Sequence, residues 1–301
     1  MGVKNLLKLI RENAPKSLRE IDIAELRGCK VAVDASILLY QFANIGKSHN
    51  IQNRDGKQIN HIQGIVHRTA SMLAAGLLPV YVFDGIPPDS KIRRPQSSVS
   101  KSGDTLSRMA QEAQFVLSQI GIPYIIASGE AEAQCAYMTL GEFDAVITED
   151  TDAIVFGAKS VIFGYNATGS RKTFVVNSSA LLSELKLSRE SFIDLCILLG
   201  TDYSGTLPGI GYKRALSLIR QYGDIPTILR HLSEKNKASN NFSYEDARAA
   251  YYNPNVSQYS GIEYSKFDPK LAALNIAERF GVDDVRLVRS VEKIANIVSE
   301  I

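Results

Sequence analysis

The apolar residues of this chain follow two rhythms. Short β-branched runs recur at Lys30 to Asp34, Leu77 to Asp84, Ile122 to Ala127 and Asp144 to Ile147, each bounded by small or turn-forming residues. Elsewhere apolar positions repeat at three- and four-residue spacing. Residues 4 to 13 place Leu6, Leu7, Leu9 and Ile10 on one stripe, and the same spacing runs through Ser36 to Phe42, His61 to Ala75, Thr105 to Gln119, Arg189 to Leu199, Lys270 to Phe280 and Asp284 to Val298. The first rhythm predicts buried strands, the second amphipathic helices. Their alternation makes βαβ units, so the expected fold is α/β, a mostly parallel central sheet flanked by helices with right-handed crossovers. Ser160 to Asn177 reads as a hairpin.

Three of the strand runs end on acids: Asp34 after Val31-Ala-Val, Asp84 after Val80-Tyr-Val-Phe, and Asp150 with Asp152 after Val146-Ile-Thr-Glu. Groups just beyond the carboxyl ends of buried parallel strands are where α/β proteins place their chemistry. One such aspartate reads as a turn or helix cap. Three, joined by Glu130 and Glu132 in the GEAEAQ segment and by Asp202 in LLGTDY, bring seven carboxylates toward one site. Ser128 is the expected N-cap of the helix carrying the two glutamates, whose charges also suit a helix start. Positions i and i+2 point about 200° apart on a helix, so both glutamates face one site only if Glu130 sits at the loop–helix junction. Converging carboxylates repel unless hard divalent cations neutralise them, and oxygen ligands suit Mg²⁺ or Mn²⁺. The pattern points to a two-metal site for phosphodiester hydrolysis.

With 34 basic and 32 acidic residues the net charge is only +2, which alone says nothing about nucleic acid. Setting the seven acids aside leaves a basic surplus over the rest of the chain, which suits a phosphate polymer. Cys29, Cys135 and Cys196 are odd in number, far apart and within apolar segments, so they read as buried thiols in a reducing compartment. The four histidines lack metal-ligand spacing and accompany no serine or cysteine nucleophile signature. No apolar run approaches the ~20 residues that span a bilayer, the start MGVKNLLKLI has no signal-peptide features, and Leu6 stands where a myristoylation motif wants Ser or Thr. A soluble, intracellular, monomeric protein without a membrane partner is expected.

All of residues 1–301 are expected to form a single nuclease domain. Within it, 1–95 and 109–200 form the nuclease core, 201–232 a helix-hairpin-helix element, and 233–301 C-terminal helices. Residues 87–108 read as a basic, proline- and serine-rich loop that contacts substrate. In Thr206-LPGIGYKRAL the glycines Gly209 and Gly211 flank a hydrophobic turn whose N–H groups can approach a phosphate, and Lys213 with Arg214 begins the next helix. That combination favours duplex DNA backbone. Lys47 and Arg68 are further basic candidates for DNA. The tyrosine- and asparagine-rich stretch after Lys235 carries no motif and is expected only to pack against the core.

In these blocks, MGVKNLLKLI, VAVDASILLYQF, PVYVFDGIPP, GEAEAQCAY, TEDTDAIVFG and LLGTDYSGTLPGIGYKRAL, the chain resembles the flap endonuclease family of structure-specific 5′ nucleases, over about residues 1–95 and 110–232. The resemblance implies a PIN-like α/β nuclease with a helix-three-turn-helix type DNA-binding element, acting on branched or flapped double-stranded DNA beside a 5′ flap, in a nucleus or other replication compartment. By motif position Asp34, Asp84, Glu130 and Glu132 would serve one of two Mg²⁺ ions, with Mn²⁺ able to substitute, and Asp150, Asp152 and Asp202 the other. It also implies that Gly2 lies near the active site, that Tyr40 stacks on a base, and that Lys91 contacts the scissile phosphate. A K⁺ ion would be held by main-chain carbonyls around Thr206, Leu207 and Ile210.

The chain also departs from the family. The stretch between Asp84 and Glu130 is short, so the helical arch is cut down. The position of the second gateway cation falls on Ser98, leaving Arg93 and Arg94 as substitutes, and Pro95 breaks a continuous gateway helix. No glutamine-led box supports a sliding-clamp partner. The leading expectation is a 5′ flap endonuclease with 5′ to 3′ exonuclease activity in replication and repair. Its alternatives are a four-way-junction or bubble nuclease of the same superfamily and a catalytically inactive DNA-structure binder.

Overall fold

The computed structural model describes residues 2–44, 51–86, 99–166, 171–232, 242–282 and 284–301, without the side chains of 99–103. Lys47, Lys91, Arg93 and Arg94 lie outside the described residues.

Seven strands form one mixed sheet: β1 (Leu18–Ile21), β2 (Lys30–Asp34), β3 (Leu78–Phe83), β4 (Tyr124–Ile126), β5 (Ala145–Ile147), β6 (Ser160–Phe163) and β7 (Thr173–Asn177), in the order β1-β7-β6-β5-β2-β3-β4. The ladders from β6 through β5, β2 and β3 to β4 are parallel. The expected hairpin is present as antiparallel β6–β7, and β1 adds to β7 antiparallel. The fold is therefore α/β with a mostly parallel sheet.

The period of two along each central strand divides the core between the two faces. Ala32, Val80, Val82 and Val146 face one apolar cluster, while Val31, Val33, Tyr81, Phe83, Ala145 and Ile147 face the other. Against the first pack α1 (Leu6–Asn13), α5 (Ala131–Met138), α6 (Asp152–Val155), α7 (Ser178–Leu185), α8 (Arg189–Leu199), α9 (Tyr212–Tyr222), α10 (Ile225–His231) and α11 (Tyr244–Tyr252). The second is covered by α2 (Ala35–Ala43), α3 (Asn60–Ala74), α4 (Val99–Gln119), α12 (Pro269–Phe280) and α13 (Val285–Val298).

Helix α4 starts earlier than its apolar spacing suggests. Residues 99–108, expected as the end of a basic loop, are helical. The stripe of Met109, Ala113, Val116 and Leu117 buries the helix, and once that part is nucleated, extension through the preceding polar residues costs little. Glu112 then ties α4 to its neighbours: its carboxylate accepts from Lys57 Nζ at 2.6 Å, meets His61 Nε2 at 2.7 Å and pairs with Arg108 at 3.2 Å.

A buried ion pair fixes α11 to the first face. Asp194 of α8, whose side chain is 1% exposed, accepts from the Ile225 N–H at 2.8 Å and from Arg248 Nε at 2.6 Å, with Arg248 Nη2 on its second oxygen. Removing the arginine would strand a buried carboxylate. Arg248→Ala is expected to lower unfolding stability by about 3–5 kcal/mol, measured by urea denaturation; a loss under about 1 kcal/mol, the scale of an exposed pair, would contradict the assignment.

Candidate metal centre

Asp34 ends β2 and opens α2. One carboxylate oxygen caps the helix, accepting from the Ile37 N–H at 3.0 Å, and the other accepts from the Thr148 hydroxyl at 2.8 Å. Thr148 follows β5, the strand beside β2, and its oxygen also accepts from the Asp150 N–H at 3.0 Å. The capping role and the place in the acid cluster thus coexist in one side chain.

Asp84 follows β3, and its Oδ1 accepts from the Ala131 N–H at 2.8 Å. The cap expected from Ser128 is therefore supplied by a neighbouring strand end. Glu130 occupies the N-cap position itself, with extended backbone (φ −88°, ψ 143°). A junction residue points differently from one inside the helix, so Glu130 and Glu132 both line the same cleft. Two phenols reach the acids from behind: Tyr203 donates to Glu130 Oε2, and Tyr251 of α11 donates to Asp152 Oδ1 at 3.0 Å.

The cleft has a volume of about 540 Å³ and is lined by six of the seven acids, Asp34, Asp84, Glu130, Glu132, Asp150 and Asp202, and by Tyr40. Its far wall is α4, through Leu106, Ser107, Ala110, Gln111 and Gln114. Asp152, the seventh acid, stands where oxygens of Glu132, Asp150 and Asp152 lie within 4.8 Å of one another. Glu132 thus meets Asp150 and Asp152 directly, so it stands between the two ligand sets expected from the sequence.

Burial and repulsion act together here. Asp34 is pushed up to about 7 by burial and by the charges of Asp84 and Asp150, against the lowering effect of its bonds to Ile37 and Thr148. Burial, then Glu130, Asp34, Asp84 and Asp150, holds Glu132 well above the usual glutamate range. A buried all-oxygen set that resists its own ionisation fits a hard divalent cation, which would restore the charged form.

Gly2 closes one side of the cluster. Its φ is +78°, and a Cβ there would fall 2.1 Å from Asp150 Oδ1 and 2.7 Å from Thr151 Oγ1. The adjacent Val3 N–H donates to Thr151 Oγ1 at 2.9 Å, pinning the amino-terminal segment on the acidic turn. The approach is close because position 2 lacks a side chain.

The other candidates fall in different places. Tyr40 is 43% exposed at the cleft. Gly209 adopts φ +71°, Gly211 is the N-cap of α9, and Lys213 and Arg214 lie exposed in the first turn of that helix, Arg214 donating to the Gly209 carbonyl at 3.0 Å. In the same turn Thr206 is exposed while Leu207 and Ile210 are buried, and the Leu207 carbonyl accepts from the Ile210 N–H at 3.3 Å. Arg68 is half-buried. Its guanidinium packs over the Tyr165 ring at 5.2 Å and donates to the Tyr165 carbonyl at 2.9 Å, so it joins α3 to the segment after β6. No motif role in the sequence points to Tyr203 or Tyr251. Tyr203 directly follows Asp202, a signal that was available, whereas Tyr251 lies in the stretch without motifs.

A parallel sheet edge carrying a buried, metal-binding acid cluster beside a helical hairpin defines an α/β nuclease. Residues 1–104 match the XPG N-terminal domain and residues 121–202 the XPG I-region. The chain is 33% identical over 334 aligned positions to flap endonuclease 1 of Entamoeba dispar, covering 100% of this chain and 89% of that protein. With flap endonuclease 1 of Salmo salar it shares 37% identity over 306 positions, covering 91% and 80%. Among solved structures, the flap endonuclease-1 of Methanococcus jannaschii matches with a TM-score of 0.77 at 26% identity, over 94% of this chain and 96% of that one. The catalytic core of Rad2 in complex with DNA substrate matches at 0.76 and 25% identity, over 98% and 100%. Human GEN1 in complex with Holliday junction DNA shares the fold, with a TM-score of 0.79 at 21% identity over 99% and 77%. The chain belongs to the XPG/flap endonuclease 1 family of structure-specific 5′ nucleases.

The contact between Gly2 and Asp150 leads to a direct test. Gly2→Ala is expected to displace Asp150 and slow cleavage of a branched DNA by about 100-fold, the scale of an ångström-level misplacement. Single-turnover cleavage measures it, and a rate within about threefold of the parent would show that the close approach is dispensable.

Proposed function

We propose that this chain is a 5′ flap endonuclease with associated 5′ to 3′ exonuclease activity, serving flap removal in replication and repair in the nucleus or an equivalent compartment. The observation that carries the reading is the convergence of six carboxylates on one cleft with Asp152 grouped beside Glu132 and Asp150, in a chain at 33–37% identity to curated flap endonucleases. The assigned cofactors are two Mg²⁺ ions, replaceable by Mn²⁺; when bound they supply Lewis acidity, lowering the pKa of water and neutralising charge on the phosphate. Asp34, Asp84, Glu130 and Glu132 would hold one ion and Asp150, Asp152 and Asp202 the other, with Glu132 between them.

The chain's own groups then position the DNA. Tyr40 offers an exposed ring at the mouth of the cleft on which a base next to the scissile phosphate can stack. The N-terminus of α9, with Gly209, Gly211, Lys213 and Arg214, faces a duplex phosphate through backbone N–H groups and two cations. Main-chain carbonyls around Thr206, Leu207 and Ile210 are assigned a K⁺ ion. Lys91, Arg93 and Arg94 are assigned to the scissile phosphate, and Lys47 to duplex backbone, on sequence position alone.

Asp150→Asn is expected to reduce cleavage of a labelled double flap in Mg²⁺ to below about a tenth of the parent rate, since changing even an outer partner of a metal ligand typically costs 10–100-fold; survival above that level would refute the metal assignment.

A second reading, a junction or bubble nuclease, is favoured by one feature. The stretch between Asp84 and Glu130 is short, much of it is spent on α4, and the alignment with the Entamoeba dispar relative is longer than this chain. A reduced arch leaves room for a continuous strand. Under the flap reading, a bulky adduct on the 5′ end should strongly slow cutting of a flap; undiminished cutting, with efficient incision of bubbles and four-way junctions in the same assay, would favour the second reading.

A further inference from the structure

The acid cluster is reached from behind by a residue far from every motif. Tyr251 lies on α11, is fully buried, and donates its hydroxyl to Asp152 Oδ1 at 3.0 Å.

The phenol is held rigidly. Its ring packs on Phe156 with centroids 5.0 Å apart and edge-on to Tyr203 at 5.2 Å. Helix α11 is locked to α8 by the Asp194–Arg248 pair, three residues before Tyr251. The packing needs only an aromatic ring at position 251; the hydroxyl adds nothing to it. Its described hydrogen-bond partner is the carboxylate that closes the Glu132–Asp150–Asp152 group.

We propose that Tyr251 is a positioning residue of the metal centre, orienting Asp152 for a divalent cation through its hydroxyl and thereby tying helix α11 to metal affinity. It touches neither substrate nor ion. The proposal rests on the reading of the acid cluster as a metal centre. A neutral phenol is suited to this task because it restrains a carboxylate oxygen while leaving its negative charge for the cation.

The variant that isolates the hydroxyl is Tyr251→Phe, and the probe is Mn²⁺ binding to the DNA-free protein by titration calorimetry. Loss of such an outer hydrogen bond is expected to weaken Mn²⁺ binding by on the order of tenfold. The Mn²⁺ concentration for half-maximal cleavage should rise by the same factor, with little change in rate at saturating metal and a thermal midpoint close to the parent's. Unchanged Mn²⁺ affinity in Tyr251→Phe, with the parent binding normally, overturns the proposal and leaves the metal centre standing. Weakened binding matched by a proportionate loss of thermal stability also overturns it, since the hydroxyl would then act through folding. A parent protein that binds no Mn²⁺ overturns the metal centre itself and this proposal with it.

Discussion

The structure turns on the mutual repulsion of carboxylates gathered at one sheet edge. Burial and neighbouring charge push Asp34 and Glu132 toward protonation, and the described bonds that position the acids come from neutral donors. The N–H of Ile37 and the hydroxyl of Thr148 hold Asp34, the N–H of Ala131 holds Asp84, and phenols hold Glu130 and Asp152. Such donors fix orientation while leaving the carboxylate charge for a cation. Gathering buried carboxylates costs stability, and the apolar layers on both faces of the sheet offset it.

The location of the cluster follows from topology. From β2 the chain steps one way to β3 and β4, then returns to build β5 and β6 on the other side. Where strand order reverses, the connecting segments diverge and leave a crevice at the carboxyl ends, the usual ligand position in open α/β sheets. Asp34 and Thr148 face each other across that crevice, and their hydrogen bond ties β2 to the turn after β5. The acid motifs are thus spaced widely in sequence because each belongs to a different strand end, brought together by parallel pairing.

What the sequence made legible was whatever repeats or clusters locally. The β-branched runs ending on Asp34 and Asp84 marked strands because burial on both faces demands unbroken apolar residues, and helix α8 matches its apolar spacing to the residue. Less legible were features set by partners distant in sequence. The cap of α5 comes from Asp84 rather than Ser128 because the adjacent strand end delivers a carboxylate to the Ala131 N–H. The start of α4 lies upstream of its apolar stripe, since helix extension needs no pattern of its own. The packing of Arg68 on Tyr165 is a tertiary contact that its charge in the sequence does not announce. Tyr251 is one of several tyrosines in a motif-free stretch, singled out by a helix placed through Asp194 and Arg248.

The turn from Asp150 to Asp152 is grasped by segments that precede and follow it widely in sequence. Gly2 and Val3 press on it from the amino-terminal side, and Tyr251 reaches it from α11. Tyr203 makes the corresponding link from the hairpin side to Glu130. All of these contacts join residues distant in sequence, so their loop-closure entropy is met only when most of the fold is in place. The geometry of the acid cluster therefore depends on the docking of segments far from it in sequence. That arrangement also explains why the catalytic motifs alone do not define the centre: the motifs supply the carboxylates, while residues at positions 2, 203 and 251 set how closely and at what angles those carboxylates meet.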